Sequence, residues 1–209
     1  DTSRENLMRQ SIELMSKFPT IIAYAYNMLR HGEQGRSLHI RHPQKGLSIA
    51  ENFLFMLKGR DYTELDARTM DLMLILHSEH GGGNNSTFTV RVTSSTGTDT
   101  YSSIAAGIGS LKGPKHGGAN LKVMEMINYL KTNVHDWHDE EEIARHLEGI
   151  LNRNEMDRHG LIYGIGHAVY TLSDPRAVLL KKLAGQLAAE KGRLPEYEFL
   201  QRIEKVAIQ

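Results

Sequence analysis

The chain contains no cysteine, which excludes disulfides, thiolate catalysis and cysteine-ligated zinc and fits a reducing compartment, the cytoplasm by default. It has no net charge either. Its 25 Lys and Arg balance 25 Asp and Glu, so no overall field draws it to nucleic acid or an anionic membrane, and any anion site must be local. No apolar run approaches the roughly 18 residues of a membrane-spanning helix, and a basic region followed by an apolar stretch is missing near Asp1, so neither a span nor a signal peptide is expected. Repeats and low-complexity segments are also missing. What remains is 209 residues, enough for one large or two small domains that bury roughly 70% of the unfolded surface. The chain starts without methionine and stops inside the helical pattern Phe199, Leu200, Ile203, Val206 and Ala207, which reads as a fragment of something longer.

Helical signals dominate. Thr2 and Glu5 have capping-box spacing ahead of Leu7, Met8, Ile12 and Met15, and Pro19 restarts the pattern through Ile21, Ile22, Tyr24, Ala25, Met28 and Leu29, which predicts two helices. Residues 31–45 are polar and irregular, a surface loop with a loose cluster of His31, Arg36, His39, Arg41 and His42. Ser48 and Glu51 form a second capping box ahead of a short helix that ends at Gly59. Thr63 caps the next. There Met70, Leu72, Met73, Leu74, Ile75 and Leu76 leave hardly any polar face, which predicts a place in a core or a subunit interface. Residues 86–96 alternate Phe88, Val90 and Val92 with Thr89, Arg91 and Thr93, a strand by propensity. Asp99 starts a helix of small residues suited to close packing. Helices after Asn120, through Ile143 to Leu151, from Asp174 and from Pro195 complete the pattern, with the lone Trp137 expected under a loop.

Three stretches carry chemistry. In Gly113-Pro114-Lys115-His116-Gly117-Gly118-Ala119-Asn120, proline and glycines hold His116 in a tight turn where a new helix begins. The positive end of that helix disfavours a second proton, so a neutral imidazole able to donate a hydrogen bond is expected; a solvent-facing capping turn is the plainer alternative. His77 and His80 lie one turn apart at a helix C-terminus, where the dipole favours imidazolium and hence a carboxylate partner. Two histidines so spaced also suit zinc, but no third ligand is evident, and no metal is expected. Finally, Gly164-Ile165-Gly166-His167 precedes Asp174-Pro175-Arg176. The second triplet is an N-cap, a proline at the first helical position and an arginine whose charge opposes the dipole unless an anion sits there. The alternative for Arg176 is a screened, exposed side chain. Its guanidinium offers a bidentate grip on a carboxylate, and the glycines let a ligand approach the backbone closely.

These stretches together resemble the citrate synthase family. His77-Ser78-Glu79-His80-Gly81-Gly82-Gly83-Asn84, the Ser95-Thr96-Gly97-Thr98-Asp99 segment and the octapeptide around His116 stand in the family's order and spacing. Gly164-Ile165-Gly166-His167-Ala168-Val169, ending in Asp174-Pro175-Arg176, is similar to the family's signature, and Phe18-Pro19-Thr20-Ile21 is a fainter echo. The resemblance implies an all-α, multihelical fold in which residues 1–118 form part of the large domain and residues 119–209 an incomplete small domain. It also implies a helix over residues 86–96 in place of the strand, and the helix is the reading adopted.

The same resemblance implies a Claisen-type condensation of acetyl-CoA with oxaloacetate to citryl-CoA, followed by hydrolysis to citrate and CoA. His116 corresponds to the donor to the thioester oxygen and His167 to the donor to the oxaloacetate ketone. His80, His167 and Arg176 correspond to oxaloacetate ligands, and the backbone of Gly164, Ile165 and Gly166 to a coenzyme A contact, with Ile165 in place of the family's usual aromatic residue. The four side chains His80, His116, His167 and Arg176 are expected to line one cleft, with a hinge near His116. No permanently bound cofactor is implied, since the CoA thioester is a substrate. A homodimer with no nucleic-acid or membrane partner is implied as well. The family's base is an aspartate beyond the last residue here, so the chain alone is expected to be inactive. Within the family, 2-methylcitrate synthase and citryl-CoA lyase share these motifs; outside it, a non-catalytic helical binding module or a histidine metal site would leave their order unexplained.

Overall fold

The computed structural model describes residues 3–79, 81–166 and 174–208. Among these every regular element is helical, and no helix is long and apolar enough to cross a membrane. The chain divides into two compact units, Asp1–Ile108 and Gly109–Gln209.

In the first unit, α1 (Arg4–Gln34) is a single helix of 31 residues with Pro19 inside it. Two helices were expected from Pro19; instead the proline, whose fixed φ is helical, removes one hydrogen bond to the Met15 carbonyl without ending the helix. The cap is Ser3 rather than Thr2, its side chain accepting from Asn6 N–H at 3.4 Å. α1 packs against α2 (Ile49–Lys58) around buried Ala23, Ala50, Leu54 and Met56. Buried Asn27 donates to the carbonyls of His39 at 3.0 Å and Met56 at 3.3 Å, tying the irregular segment after Gly35 to both helices. Two of the histidines there serve the fold: His31 Nδ1–H donates to the Arg36 carbonyl at 2.7 Å, and His42 Nδ1 is bonded to the Tyr24 hydroxyl at 2.8 Å.

α2 starts with the full Ser48–Glu51 capping box, and α3 (Glu64–His77) with a matching one from Thr63 and Asp66. No residue of α3 is buried, and Met73, Leu74 and Ile75 are 41%, 42% and 59% exposed. Its apolar stretch therefore does not lie in the core of this unit. Residues 86–96 form no strand: α4 (Asn85–Ser94) is a helix capped by Asn84. The hydroxyls of Thr89, Ser94, Ser95 and Thr96 bond back to carbonyls three or four residues earlier, local partners that a β-propensity reading leaves out. α5 (Thr100–Leu111), capped by Asp99, lies so close to α4 that a Cβ on Gly107 would meet Val90 Cγ2 at 2.6 Å.

The second unit contains α6 (Ala119–Asn133), α7 (Glu140–Leu151), α8 (Pro175–Glu190) and α9 (Leu194–Ile208). Its core joins Met126, Leu130 and Val134 to Ile143, Leu147 and Ile150 and to Phe199 and Ile203. Phe199 is fully buried, and Trp137 stacks on it at 4.7 Å between centroids. The tryptophan thus covers a helix side chain rather than a loop. Lys205 pairs with Glu140 at 2.6 Å and Lys181 with Glu204 at 2.5 Å, fastening α9 to α7 and α8.

Between α6 and α7 the Glu142 carboxylate closes the turn. It accepts the backbone N–H of Asp136 at 3.0 Å and of His135 at 3.2 Å, and His135 Nδ1–H at 3.0 Å. The Asp136 N–H, then the His135 side chain and backbone, bring its pKa down to about 2.

Two outcomes follow from this packing. Phe199→Ala should destabilise the protein by about 3 to 5 kcal/mol in denaturant unfolding, with Trp137 fluorescence as the probe. Because the native pKa of Glu142 lies below its ordinary 4.5, its stabilisation is complete above about 4.5 and is lost as pH falls towards about 2. Thermal midpoints measured across that window should therefore fall more steeply for the unsubstituted protein than for Glu142→Gln, which starts lower.

Candidate functional site

His116 is half-buried in the turn between α5 and α6. Its N–H donates to the Gly113 carbonyl at 3.0 Å, and its carbonyl accepts from Ala119 N–H at 3.3 Å. Gly117 N–H reaches back to the Leu111 carbonyl at 3.0 Å. A Cβ on Gly117 would lie 2.2 Å from that same oxygen, and one on Gly118 would lie 2.4 Å from the Pro114 carbonyl. Both glycines are required by close approach rather than by a left-handed backbone; Gly118 has φ −67°. Gly118 caps α6 without a side-chain hydrogen bond, so the helix N-terminus opens directly behind the His116 turn.

The turn at Gly164, Ile165 and Gly166 is also built on glycine, here with φ +79° at Gly164 and +86° at Gly166. It lies against α6: a Cβ on Gly164 would meet Val123 Cγ2 at 2.9 Å. Ile165 packs on the core. Residues 167–173, and with them His167, lie outside the described residues, as does His80. His77 ends α3, exposed, its Nδ1–H donating to the Met73 carbonyl at 2.7 Å. Among the described residues no three His, Asp or Glu side chains gather in a way that would hold a metal ion.

At the start of α8, Asp174 is the N-cap and accepts from Arg176 N–H at 2.9 Å. The Arg176 guanidinium folds back onto the same carboxylate, Nη2 to Oδ2 at 2.5 Å and Nε to Oδ1 at 3.0 Å. A carboxylate from the helix itself thus offsets the cation at the dipole's positive end. The Arg176 side chain is 28% exposed, so its charge is held by Asp174 and not screened by solvent alone.

Sequence reasoning passed over a second group of polar residues. Glu155 accepts from the Tyr129 hydroxyl and from His146 Nδ1–H, each at 2.9 Å. Burial, and then the bond to Glu155, pushes the Tyr129 hydroxyl up to about 12. Asp157 accepts from the Tyr163 hydroxyl at 2.7 Å and from His159 Nδ1–H at 3.0 Å, with Lys122 Nζ at 3.4 Å. Burial would raise the Asp157 pKa, but the hydrogen bonds from Tyr163, His159 and Lys122 outweigh it and hold the carboxyl well below the usual carboxylate range. The available signal was position alone, since Tyr163 directly precedes Gly164.

Of the sequence-predicted groups, His116, the Gly164 turn and Arg176 belong to the Gly109–Gln209 unit and His77 to the other. The fold and this site define a class: an all-helical protein that presents histidine at a glycine-built helix entry, open backbone at a second glycine turn, and an arginine at a third helix start. A family model described as "Citrate synthase, C-terminal domain" matches residues 1–209. The chain is 38% identical over 198 residues to a citrate synthase of Deinococcus radiodurans, covering 95% of this chain and 48% of that protein. It is 39% identical over 179 residues to a 2-methylcitrate synthase of Shewanella oneidensis, covering 86% of this chain and 43% of that protein. Its structure superposes on a citrate synthase from Pyrobaculum aerophilum with a TM-score of 0.74 at 35% identity, over 91% of this chain and 43% of that one. The chain belongs to the citrate synthase family. It spans about half the length of the curated relatives it matches.

The capping role of Asp174 gives a measurable expectation. Asp174→Ala should lower unfolding free energy by about 1 kcal/mol, whereas Asp174→Asn, which can still cap, should recover most of that loss in the same denaturation experiment.

Proposed function

We propose that the whole enzyme containing this chain condenses acetyl-CoA with oxaloacetate and hydrolyses the resulting citryl-CoA to citrate and CoA. The observation that carries this reading is the match of all 209 residues to the citrate synthase C-terminal domain. The order of the three histidine and glycine motifs along the chain supports it. In this reading a base takes a proton from the acetyl methyl while His116 donates to the thioester oxygen, stabilising the enolate as charge develops. The enolate carbon attacks the ketone carbon of oxaloacetate, His167 donates to the oxygen that becomes negative there, and His80 and Arg176 hold the carboxylates. Water then cleaves the thioester. The base is an aspartate supplied from outside these 209 residues, and coenzyme A enters as part of the substrate, contacting the backbone of Gly164, Ile165 and Gly166.

In the same reading residues 1–118 contribute to a large domain and residues 119–209 to a small one, the four side chains His80, His116, His167 and Arg176 meet in one cleft, and the enzyme works as a cytoplasmic homodimer. The exposed apolar residues of α3, Met73, Leu74 and Ile75, support a subunit interface there. The identity to a 2-methylcitrate synthase favours a second reading, in which propionyl-CoA replaces acetyl-CoA.

The test is an assay of the whole enzyme with both thioesters. Turnover is expected with acetyl-CoA above propionyl-CoA, and the reverse preference would establish the second reading. His116→Ala should lower kcat by about 10² to 10³ and raise the oxaloacetate KM far less, because its contact strengthens as the enolate forms. The isolated 209-residue chain should show no meaningful turnover, since residues acting as one catalytic unit lose most of their effect when one is missing. Turnover near that of the whole enzyme would overturn the role given to the external base.

A further inference from the structure

The segment between α7 and the Gly164 turn is strained and yet heavily anchored. Arg153, Met156 and Arg158 have φ of 62°, 56° and 59°, a left-handed conformation that non-glycine residues keep only where their surroundings over-determine it. Those surroundings are two carboxylates. Glu155 is held by Tyr129 and His146, Met156 packs on the core, and Asp157 gathers Tyr163, His159 and Lys122.

Asp157 thereby joins two places that matter to the site. Lys122 lies in the first turn of α6, just beyond the His116 turn, and also pairs with Glu125 at 2.8 Å. Tyr163 immediately precedes Gly164 and is fixed at both ends: its N–H points to Met126 Sδ at 3.3 Å and its hydroxyl donates to Asp157 at 2.7 Å. With Val123 pressed against Gly164, the turn has no slack on the α6 side.

We propose that Tyr163 and Asp157 are positioning residues for the acyl-CoA half of the site, setting the backbone of Gly164, Ile165 and Gly166 in register with α6. This rests on the reading of that backbone as a coenzyme A contact. Neither side chain touches the reacting atoms; each acts through where the turn lies. The effect belongs to thioester binding, and oxaloacetate binding should be insensitive to it.

The experiment compares the whole enzyme with Tyr163→Phe, which keeps the packed ring and removes the hydroxyl. Asp157→Asn, which keeps an acceptor for Tyr163 but loses the charge facing Lys122, is the second variant. Tyr163→Phe should raise the acetyl-CoA KM about tenfold, the scale of a lost hydrogen bond to a charged group. The oxaloacetate KM and kcat should stay within about twofold, and the double variant should be little worse than the more severe single one. Amide hydrogen exchange at residues 164–166, followed by mass spectrometry without substrate, should quicken in Tyr163→Phe. An unchanged acetyl-CoA KM with unchanged exchange overturns the proposal, and so does a parallel rise in both KM values accompanied by a fall in thermal midpoint, which marks a general loss of structure. An unsubstituted enzyme that turns over neither thioester overturns the proposed function, and the acyl-CoA assignment falls with it. An active one with an indifferent Tyr163→Phe overturns the positioning role alone.

Discussion

Backbone packed where a Cβ has no room fixes the arrangement of the second unit. The Leu111 carbonyl lies where a side chain on Gly117 would begin, the Pro114 carbonyl where one on Gly118 would begin, and Val123 where one on Gly164 would begin. Each is a contact that any other residue would break, because the obstacle is backbone in two cases and a branched side chain on a helix in the third. The common member is α6. Its N-terminus holds the His116 turn and its first turn bears on the Gly164 loop. The lower part of the same helix supplies Met126 and Leu130 to the core, so the turn at its N-terminus is anchored through the packed end.

Close approach alone does not hold the loop that leads to Gly164. That loop contains left-handed residues at Arg153, Met156 and Arg158, and the unfavourable backbone is offset by charge-assisted hydrogen bonds to Glu155 and Asp157, each worth more than a neutral bond. Both carboxylates are part-buried, which strengthens those bonds and also makes them obligatory, since an unpartnered carboxylate there would be costly. The strain and the network therefore require one another. Asp174 works on a smaller scale, serving at once as the cap of α8 and as the counter-charge to Arg176.

The sequence was legible wherever one local interaction decides the structure. Ser48 with Glu51, Thr63 ahead of α3, and Asp174 with Pro175 mark helix starts because the capping group and the N–H it satisfies are two or three residues apart. Local preference alone misleads where context competes with it, and for residues 86–96 it is the helix implied by the family resemblance that the structure shows. Alternation of Phe88, Val90 and Val92 suits a strand, but Asn84 caps a helix and the Thr and Ser hydroxyls find carbonyls within it. Pro19 reads as a helix start, yet a proline is also tolerable inside a long helix that loses only one bond to it. Asp157 and Tyr163 were invisible for a different reason. Their contact depends on left-handed φ at Met156 and Arg158, which no propensity favours, and on Lys122 arriving from a distant helix. Of the proposed site, His116, Gly164 and Arg176 are indicated in the sequence by motif order, whereas the network behind Gly164 is visible only in the folded chain.

Glycine has two distinct uses in these loops, and the distinction bears on how the site holds together. At Gly164 and Gly166 the left-handed φ turns the chain sharply and leaves peptide groups uncovered by side chains, which suits contact with a ligand's backbone-facing groups. At Gly117 and Gly118 the residue is needed because neighbouring carbonyls occupy the space, which makes a tight turn rather than a loose one. A turn so packed carries His116 with α6 as one piece. Since Val123 and Lys122 refer the Gly164 turn to the same helix, the histidine and the open backbone share one frame, and packing and charge set the geometry between them.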